Sequence, residues 1–575
     1  MFSRFSTLLV ATTALVPLGL AIAVANPQGP QVVGGSATVQ GQGTSPVTVT
    51  QQTNSAIINW NTFNIGTLEK TNIFQPSASS VELDRVTGGL GPSQVLGSLW
   101  SNGRVFLVNP DGILFGPGAK IDTGSFLATT HDIANSDFMA GRYNFSIPGN
   151  PTASIVNQGT ITAQSGGFAA LVAPGVRNSG TITAKLGTIA LASGNAFTLD
   201  FYGDKLITLG VSDSIAATVQ DVATGQPLSS LVKNDGKLKA NGGTVELTAV
   251  AARQVVDSVI NNTGVIEANT IGTHNGMIVL GAATAASKPA AAPTQTVKVS
   301  GTLSTAGKKK GTIGGTIEVT GEAIALYGAT LDASGVAGGG TVLVGGDWSG
   351  GNPTIQVTNP SAVLQPYAVP TATSVLFDPT SIVDVSATIS GNGGKAIVWA
   401  DQTTSFSGTI FARGGPLGGD GGFVETSGHV LDFVGARVDT SAPYGWTGSW
   451  LLDPYDLTID SSAAATIAAS LATTNVTIQT TASGSSGPGI SNPSGNGDIF
   501  VNSGISWGSA NSLTLSAYRN IAINAALTGT SGVLTLGAVG SISATAAVNV
   551  GTFTLQSGSW NQNTTNLPSF TARDF

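Results

Sequence analysis

Glu82 and Asp84 stand two apart in VELDRV (81–86), and on an extended strand that puts two carboxylates on one face, about 6.6 Å apart. This is the separation of the acid–base pair in an inverting glycosidase. The pair also alternates with Val81, Leu83 and Val86, which is the pattern of a solvent-facing strand edge. A second acidic stretch, LLDPYDLTID (451–460), sends Asp453 and Asp456 to opposite faces and spaces Asp456 and Asp460 about 13 Å apart. Neither set makes a catalytic centre, so no enzyme is expected. His131, His274 and His429 are isolated and there is no cysteine, which leaves none of the usual metal-ligand spacings and no cofactor to assign. GGDGG (418–422) occurs once and reads as a glycine turn. GTLSTAGKKKG (301–311) has the wrong glycine spacing for a phosphate loop and puts Lys309 where Ser or Thr is needed. It reads as a solvated basic turn. The remaining motif is RVFLVNPDGILFGPGAKI (104–121), two apolar runs around Asn109-Pro110-Asp111-Gly112, a strong turn signal. Val105, Leu107, Ile113 and Phe115 are expected in the core, with Asn109 and Asp111 hydrogen-bonding the loop.

These residues must be held by something large. The chain has 575 residues, 77 of them Gly, only 9% charged and none Cys. Few charges, many β-branched residues and regular glycines favour strands with tight turns. A net charge of −8 argues against a nucleic-acid partner. Without disulfides, burial and backbone pairing must supply all the stability. The start, MFSRFSTLLVATTALVPLGLAIAVANPQ, has a basic residue (Arg4), an apolar stretch and small-x-small sites ending at Ala23 and Ala25. It reads as an export leader over 1–25, cut after Ala25. Beyond it no window is apolar enough to span a bilayer.

Repetition sets the fold. One cassette, N-x-G-x-[I/L]-x-A, appears as NQGTITA (157–163), NSGTITA (178–184), NDGKLKA (234–240) and NTGVIEA (262–268). A glycine-led alternating unit interleaves with it: LGTIALAS (186–193), GGTVELTA (242–249), GGTIEVTG (314–321), GGFVETSG (421–428). Each alternates apolar and polar positions, as a strand with one buried face does. Two or three short strands per repeat make one coil of a parallel β-solenoid, with Asn stacked on Asn and Gly supplying positive φ at the corners. Roughly 20 to 25 coils would give a rod on the order of 100 Å. Breaks at 195–230 and 287–296 predict segments extruded from the rod, the first as a hairpin, and 449–462 reads as a junction. The last stretch, LPSFTARDF, lacks the polar cap of a solenoid, so the pattern is expected to stop midway, as in a piece of a longer protein.

Residues 26 to about 135 carry more specific strings: INWNTFNIG (58–66), TNIFQPSASSVELDRVTG (71–88) and SQVLGSLWSNGRVFLVNPDGILFGPGAKIDTGSFLATTHDI (93–133). In order and with few gaps, these resemble the N-terminal domain of two-partner-secretion exoproteins, the filamentous-haemagglutinin family. The family's N-P-N-G turn falls on Asn109-Pro110-Asp111-Gly112, its L-N-R-V on Leu83-Asp84-Arg85-Val86, and its upstream Asn motif loosely on Asn61 to Gly66. The resemblance implies an all-β, right-handed parallel β-helix with a capped N-terminal secretion domain. It further implies export through a cognate outer-membrane TpsB-type pore that recognises Asn109, Pro110, Asp111, Gly112, Ile113 and Asn64. The expected division is leader 1–25, secretion domain with first coils 26–270, rod 271–448, and junction with further coils 449–575. The expected product is an adhesin-like exoprotein, secreted or held on the surface of a Gram-negative cell. It would meet a host or neighbouring-cell protein or glycan, and membrane only by surface association. The alternatives are a β-helix polysaccharide hydrolase or lyase, a haem-carrier-capturing exoprotein, or a contact-dependent toxin.

Overall fold

The computed structural model describes residues 26–201, 206–209, 215–288, 290–351, 363–480, 496–562 and 569–575. The leader with Ala23 and Ala25 lies outside the described residues. The alternating units wind as a parallel β-helix whose coils contribute to three long sheets of 20, 11 and 14 strands. One coil runs Phe168–Ala173, Gly175–Asn178, Thr181–Ala184, and the next begins at Thr188–Ser193, paired in parallel with the first strand. Equivalent residues therefore lie over one another. Ile121, Ile161, Ile182, Leu238, Ile266, Leu303 and Leu331 form one buried column through the 14-stranded sheet. Two antiparallel strands, Gln31–Gly34 and Ala37–Gln40, close the N-terminal end.

The N-x-G cassette has two separate physical causes. Asn157, Asn178, Asn234 and Asn262 are fully buried and each Nδ2 donates to the next Oδ1, at 2.8, 2.8 and 2.7 Å. The glycines that follow do not have positive φ, as the sequence reading expects of corner glycines. A Cβ on Gly180, Gly236, Gly264 or Gly301 would instead stand 2.0 to 2.2 Å from the preceding glycine's carbonyl oxygen. The coils pack too closely there for a side chain. Asn178→Ala removes one rung of the amide ladder and orphans partners above and below. It should cost about 2 kcal/mol, read as faster amide hydrogen exchange in Ser154–Asn157 and Ser230–Asn234. Asn524→Ala, which breaks an exposed Asn–Asn contact, should leave exchange unchanged.

Twenty to 25 coils is an overestimate. The 20-stranded sheet also includes Gln31–Gly34 and the short Ile505–Ser506, and the extrusions spend chain outside the rod. The described residues of these extrusions (130–153, 194–201, 206–209, 215–229, 250–257, 283–288, 290–295, 345–351 and 363–373) leave at one corner, between the 20- and 11-stranded sheets. The excursion at 195–230 does form a hairpin-like layer. Phe197–Leu199 pairs antiparallel with both Asn144–Phe145 and Ile207–Thr208. With the short helix Asn135–Met139 it covers the outer face of the large sheet. A second apolar core forms there from Leu83, Phe106, Phe138, Phe145, Phe168 and Phe197. Near 453 the rod changes. Strand Ser449–Asp453 continues the large sheet, while Leu457–Ile459 opens a separate five-stranded sheet. Helix Ser461–Ser470 follows, N-capped by Asp460. Among the described residues no helix is long and apolar enough to cross a membrane.

Candidate functional site

The Asn-Pro-Asp-Gly turn is a corner of the rod, between strands Arg104–Val108 and Ile113–Phe115. Val105, Leu107, Ile113 and Phe115 are fully buried in the central core, as the alternation predicts. Asn109 is 1% exposed and does the fastening. Its Oδ1 accepts from the Asp111 N–H at 3.0 Å, and its Nδ2 donates to the Gly91 carbonyl at 3.1 Å and to Ser93 Oγ at 3.0 Å. The Gly112 N–H donates to the Asn109 carbonyl at 3.1 Å, closing a four-residue turn. Gly112 has φ +110°, and a Cβ there would lie 2.8 Å from the Ser154 carbonyl oxygen. Asp111 ties the loop through its backbone N–H only. Among the described residues its carboxylate has no hydrogen-bond partner, and Asp111 is half-buried, which corrects the expectation of a side-chain tie. The Pro110 carbonyl accepts from Asn150 in the first extrusion.

Asn64 belongs to the same corner. Its Oδ1 accepts from the Gln94 N–H at 2.8 Å, so Asn64 and Asn109 grip one strap, residues 91–94, from the coils on either side of it. The sequence does not show this convergence, because 45 positions separate the two asparagines. Only the stacking brings them together. Leu90, which precedes the strap, is 72% exposed.

Glu82 and Asp84 reverse the sequence reading. They face the interior of the rod and are fully buried. Val81, Leu83 and Arg85 point out, beneath the extruded layer. Stacking decides this: in register, Ala56, Glu82 and Val105 form one row and Ile58, Asp84 and Leu107 another. Asp84 Oδ1 accepts from Trp60 Nε1 at 2.8 Å, whereas among the described residues Asp84 Oδ2 and both Glu82 oxygens have no partner. Burial raises Asp84 to about 7 and Glu82 well above the carboxylate range, with the Asp84 charge adding to the latter. Outside, Arg85 donates to Asp132 at 2.7 Å, Asn135 at 2.7 Å and the Ile133 carbonyl at 2.7 Å, clamping the first extrusion down.

The other candidates are structural. Burial lowers His131 to about 4, and no group of three or more metal-ligating side chains occurs among the described residues. Asp456 accepts the Asn496 and Asp498 N–H groups. A cluster that the sequence reading misses lies under the 345–373 extrusion. Lys395 Nζ meets Asp347 Oδ1 at 2.6 Å, and Glu425 accepts from the Ser349 N–H at 3.1 Å and from Ser427 Oγ at 2.8 Å. Glu425 and Asp453 sit on neighbouring strands, both fully buried. Burial raises Glu425 to about 7, and burial together with the Glu425 charge raises Asp453 well above its ordinary value. The clue was a charge at alternating positions inside a glycine-led strand. Adjacent-coil carboxylates are what a polysaccharide-cleaving solenoid needs, but these are roofed over.

The chain is thus a parallel β-helix with a capped N-terminal end and a corner fastened by asparagines. The family model of the TPS secretion domain matches residues 23–290. In the solved structures, the HMW1 secretion domain from Haemophilus influenzae matches with a TM-score of 0.56 and 30% identity, over 74% of this chain and 100% of that one. The chain belongs to the two-partner-secretion exoproteins. Two curated relatives, both heme/hemopexin-binding proteins of H. influenzae, are 33% identical over 264 residues and 31% identical over 279. Each match covers 44% of this chain but only 27% and 28% of those proteins, so the chain spans about a quarter of their length in the match.

Proposed function

We propose that this exoprotein is delivered outside a Gram-negative cell by a cognate outer-membrane TpsB-type transporter and acts there as an adhesin-like rod. The single observation behind the export step is the strap at 91–94, gripped by Asn64 and Asn109. It gives the corner Asn109-Pro110-Asp111-Gly112-Ile113 one fixed shape that a transporter can read, and it leaves Leu90 exposed beside it. The adhesin role rests on long polar faces repeated every coil, where many weak contacts to a cell-surface protein or glycan add up. The secreted or surface-held location follows from the same reading, as do the proposed boundaries at 25, 270 and 448. Capture of a haem carrier is the second reading, because the curated relatives carry that name. It is tested by pull-down with hemopexin.

Export is tested by expressing the chain with and without its transporter and assaying the medium and the cell surface. Asn109→Ala frees the Gly91 carbonyl and Ser93 and should cut the exported amount about tenfold, near the cost of one lost buried hydrogen bond. Export that ignores both transporter and substitution would overturn the reading.

A further inference from the structure

Five glycine-rich loops stack at the corner where the 14-stranded sheet passes to the 20-stranded one: 305–315, 333–340, 385–394, 412–422 and 440–448. They form a ladder of their own. The Val336 N–H donates to the Gly307 carbonyl, Ser390 N–H to Val336, Leu417 N–H to Ile389, and Gly421 N–H to Trp446, at 2.9 to 3.1 Å. A side-chain column reinforces it. Asn392 Oδ1 accepts from the Asp420 N–H at 2.9 Å and Asp420 Oδ1 from the Trp446 N–H at 2.8 Å. The two ends of this fixed strip differ. At one end Lys308, Lys309 and Lys310 are exposed, and among the described residues no carboxylate pairs with their ammonium groups. At the other, four rungs or about 19 Å away, Tyr444 and Trp446 are 77% and 83% exposed. Between them is a shallow groove of about 290 Å³, lined by Ala337 to Thr341 and Asn392 to Lys395 and floored by backbone.

We propose that this corner is a binding site for an acidic glycan chain, resting on the adhesin reading above. The aromatic rings take the apolar face of a sugar and the backbone-lined groove its hydroxyls. The lysines take sulfate or carboxylate groups further along the chain. The occupant is singled out by this combination. A neutral sugar gives the lysines no partner. A nucleic acid carries a phosphate at every step and needs a longer run of cationic contacts than three lysines at one end of the strip supply. Loops held by their own ladder are ordered before binding, which reduces the entropy lost on association.

The test uses the mature chain, residues 26–575, with heparin as sulfated probe, hyaluronan as carboxylated probe, and dextran and a short DNA duplex as controls. Binding is followed by tryptophan fluorescence and calorimetry. Heparin, hyaluronan or both should bind, and which of them does separates sulfate from carboxylate recognition. The triple change Lys308→Gln, Lys309→Gln, Lys310→Gln and the double change Tyr444→Ala, Trp446→Ala should each weaken binding about tenfold. Thermal unfolding should be unchanged, because all five side chains are exposed. Binding of DNA as tight as heparin with no effect of the aromatic changes would reduce the site to a generic basic patch and overturn the proposal. Dextran binding that ignores the lysines, or no binding to any probe, would overturn it as well. Cell attachment separates the two readings. Equal attachment of wild type and both variants would leave the adhesin role standing and remove this site from it. Variant-sensitive heparin binding without attachment would do the reverse.

Discussion

Replacing Asp84 by Asn and Glu82 by Gln should make the protein markedly more stable at pH 8 and change it little at pH 4. Both carboxyls are buried inside the rod, and only Asp84 Oδ1 has a donor, Trp60 Nε1. Burial raises Asp84 from 3.8 to about 7. Between those values the folded state holds a proton that the unfolded state has lost. Stability is therefore complete below about pH 4 and falls as pH rises towards 7, where the folded carboxyl also ionises. For Asp84 alone the loss is roughly 4 kcal/mol, and Glu82, raised by burial and by the Asp84 charge, adds to the decline in the same direction. An amide in either place keeps the shape and, at position 84, the acceptor for Trp60. The measurement is the melting temperature from pH 4 to 9. Wild type should melt lower as pH rises while the double variant stays flat; parallel profiles would refute the assignment. The neutral acid also accounts for Asp84 at a position where the family motif has Asn.

Adding one methyl group at Gly187 should be as damaging as any core truncation. A Cβ there would lie 1.8 Å from the Gly167 carbonyl oxygen, and the spine continues through Gly243, Gly315, Gly340, Gly394 and Gly422, with approaches of 2.0 to 2.2 Å. The obstacle is backbone in the coil below, so no rotamer change relieves it and the coils must part. Gly187→Ala should cost on the order of 4 kcal/mol, seen as new protease cleavage between 160 and 250. Gly281→Ala is the control. Its Cβ would meet Thr320 Oγ1 at 3.8 Å and Val279 Cγ1 at 3.9 Å, both ordinary van der Waals contacts, and replacing a strand glycine there should be neutral or slightly stabilising. Equal sensitivity of the two sites would show that the spacing between coils is not what selects glycine.

Alternation and repetition were enough to read the β-helix, the Asn ladder and the core role of Val105, Leu107, Ile113 and Phe115, because each is written in spacing of two residues or of one coil. The inward turn of Glu82 and Asp84 could not be read that way. In VELDRV both faces are buried, one in the rod and one under the extrusion, so alternation gives two faces without saying which is the interior. The glycines were legible as positions but not as causes, since a chain cannot show how near its neighbouring coil lies.

By itself the sequence determined a cysteine-free solenoid, and its N-terminal strings identified the two-partner-secretion family, since repeat period and motif order are local properties of the chain. Only the tertiary structure decided that Asn64 and Asn109 hold one strap and that two carboxyls lie in the core. It also placed three lysines and two aromatics along a single corner. These depend on which coil stacks on which, and residues dozens or more than a hundred positions apart meet only when the rod is wound.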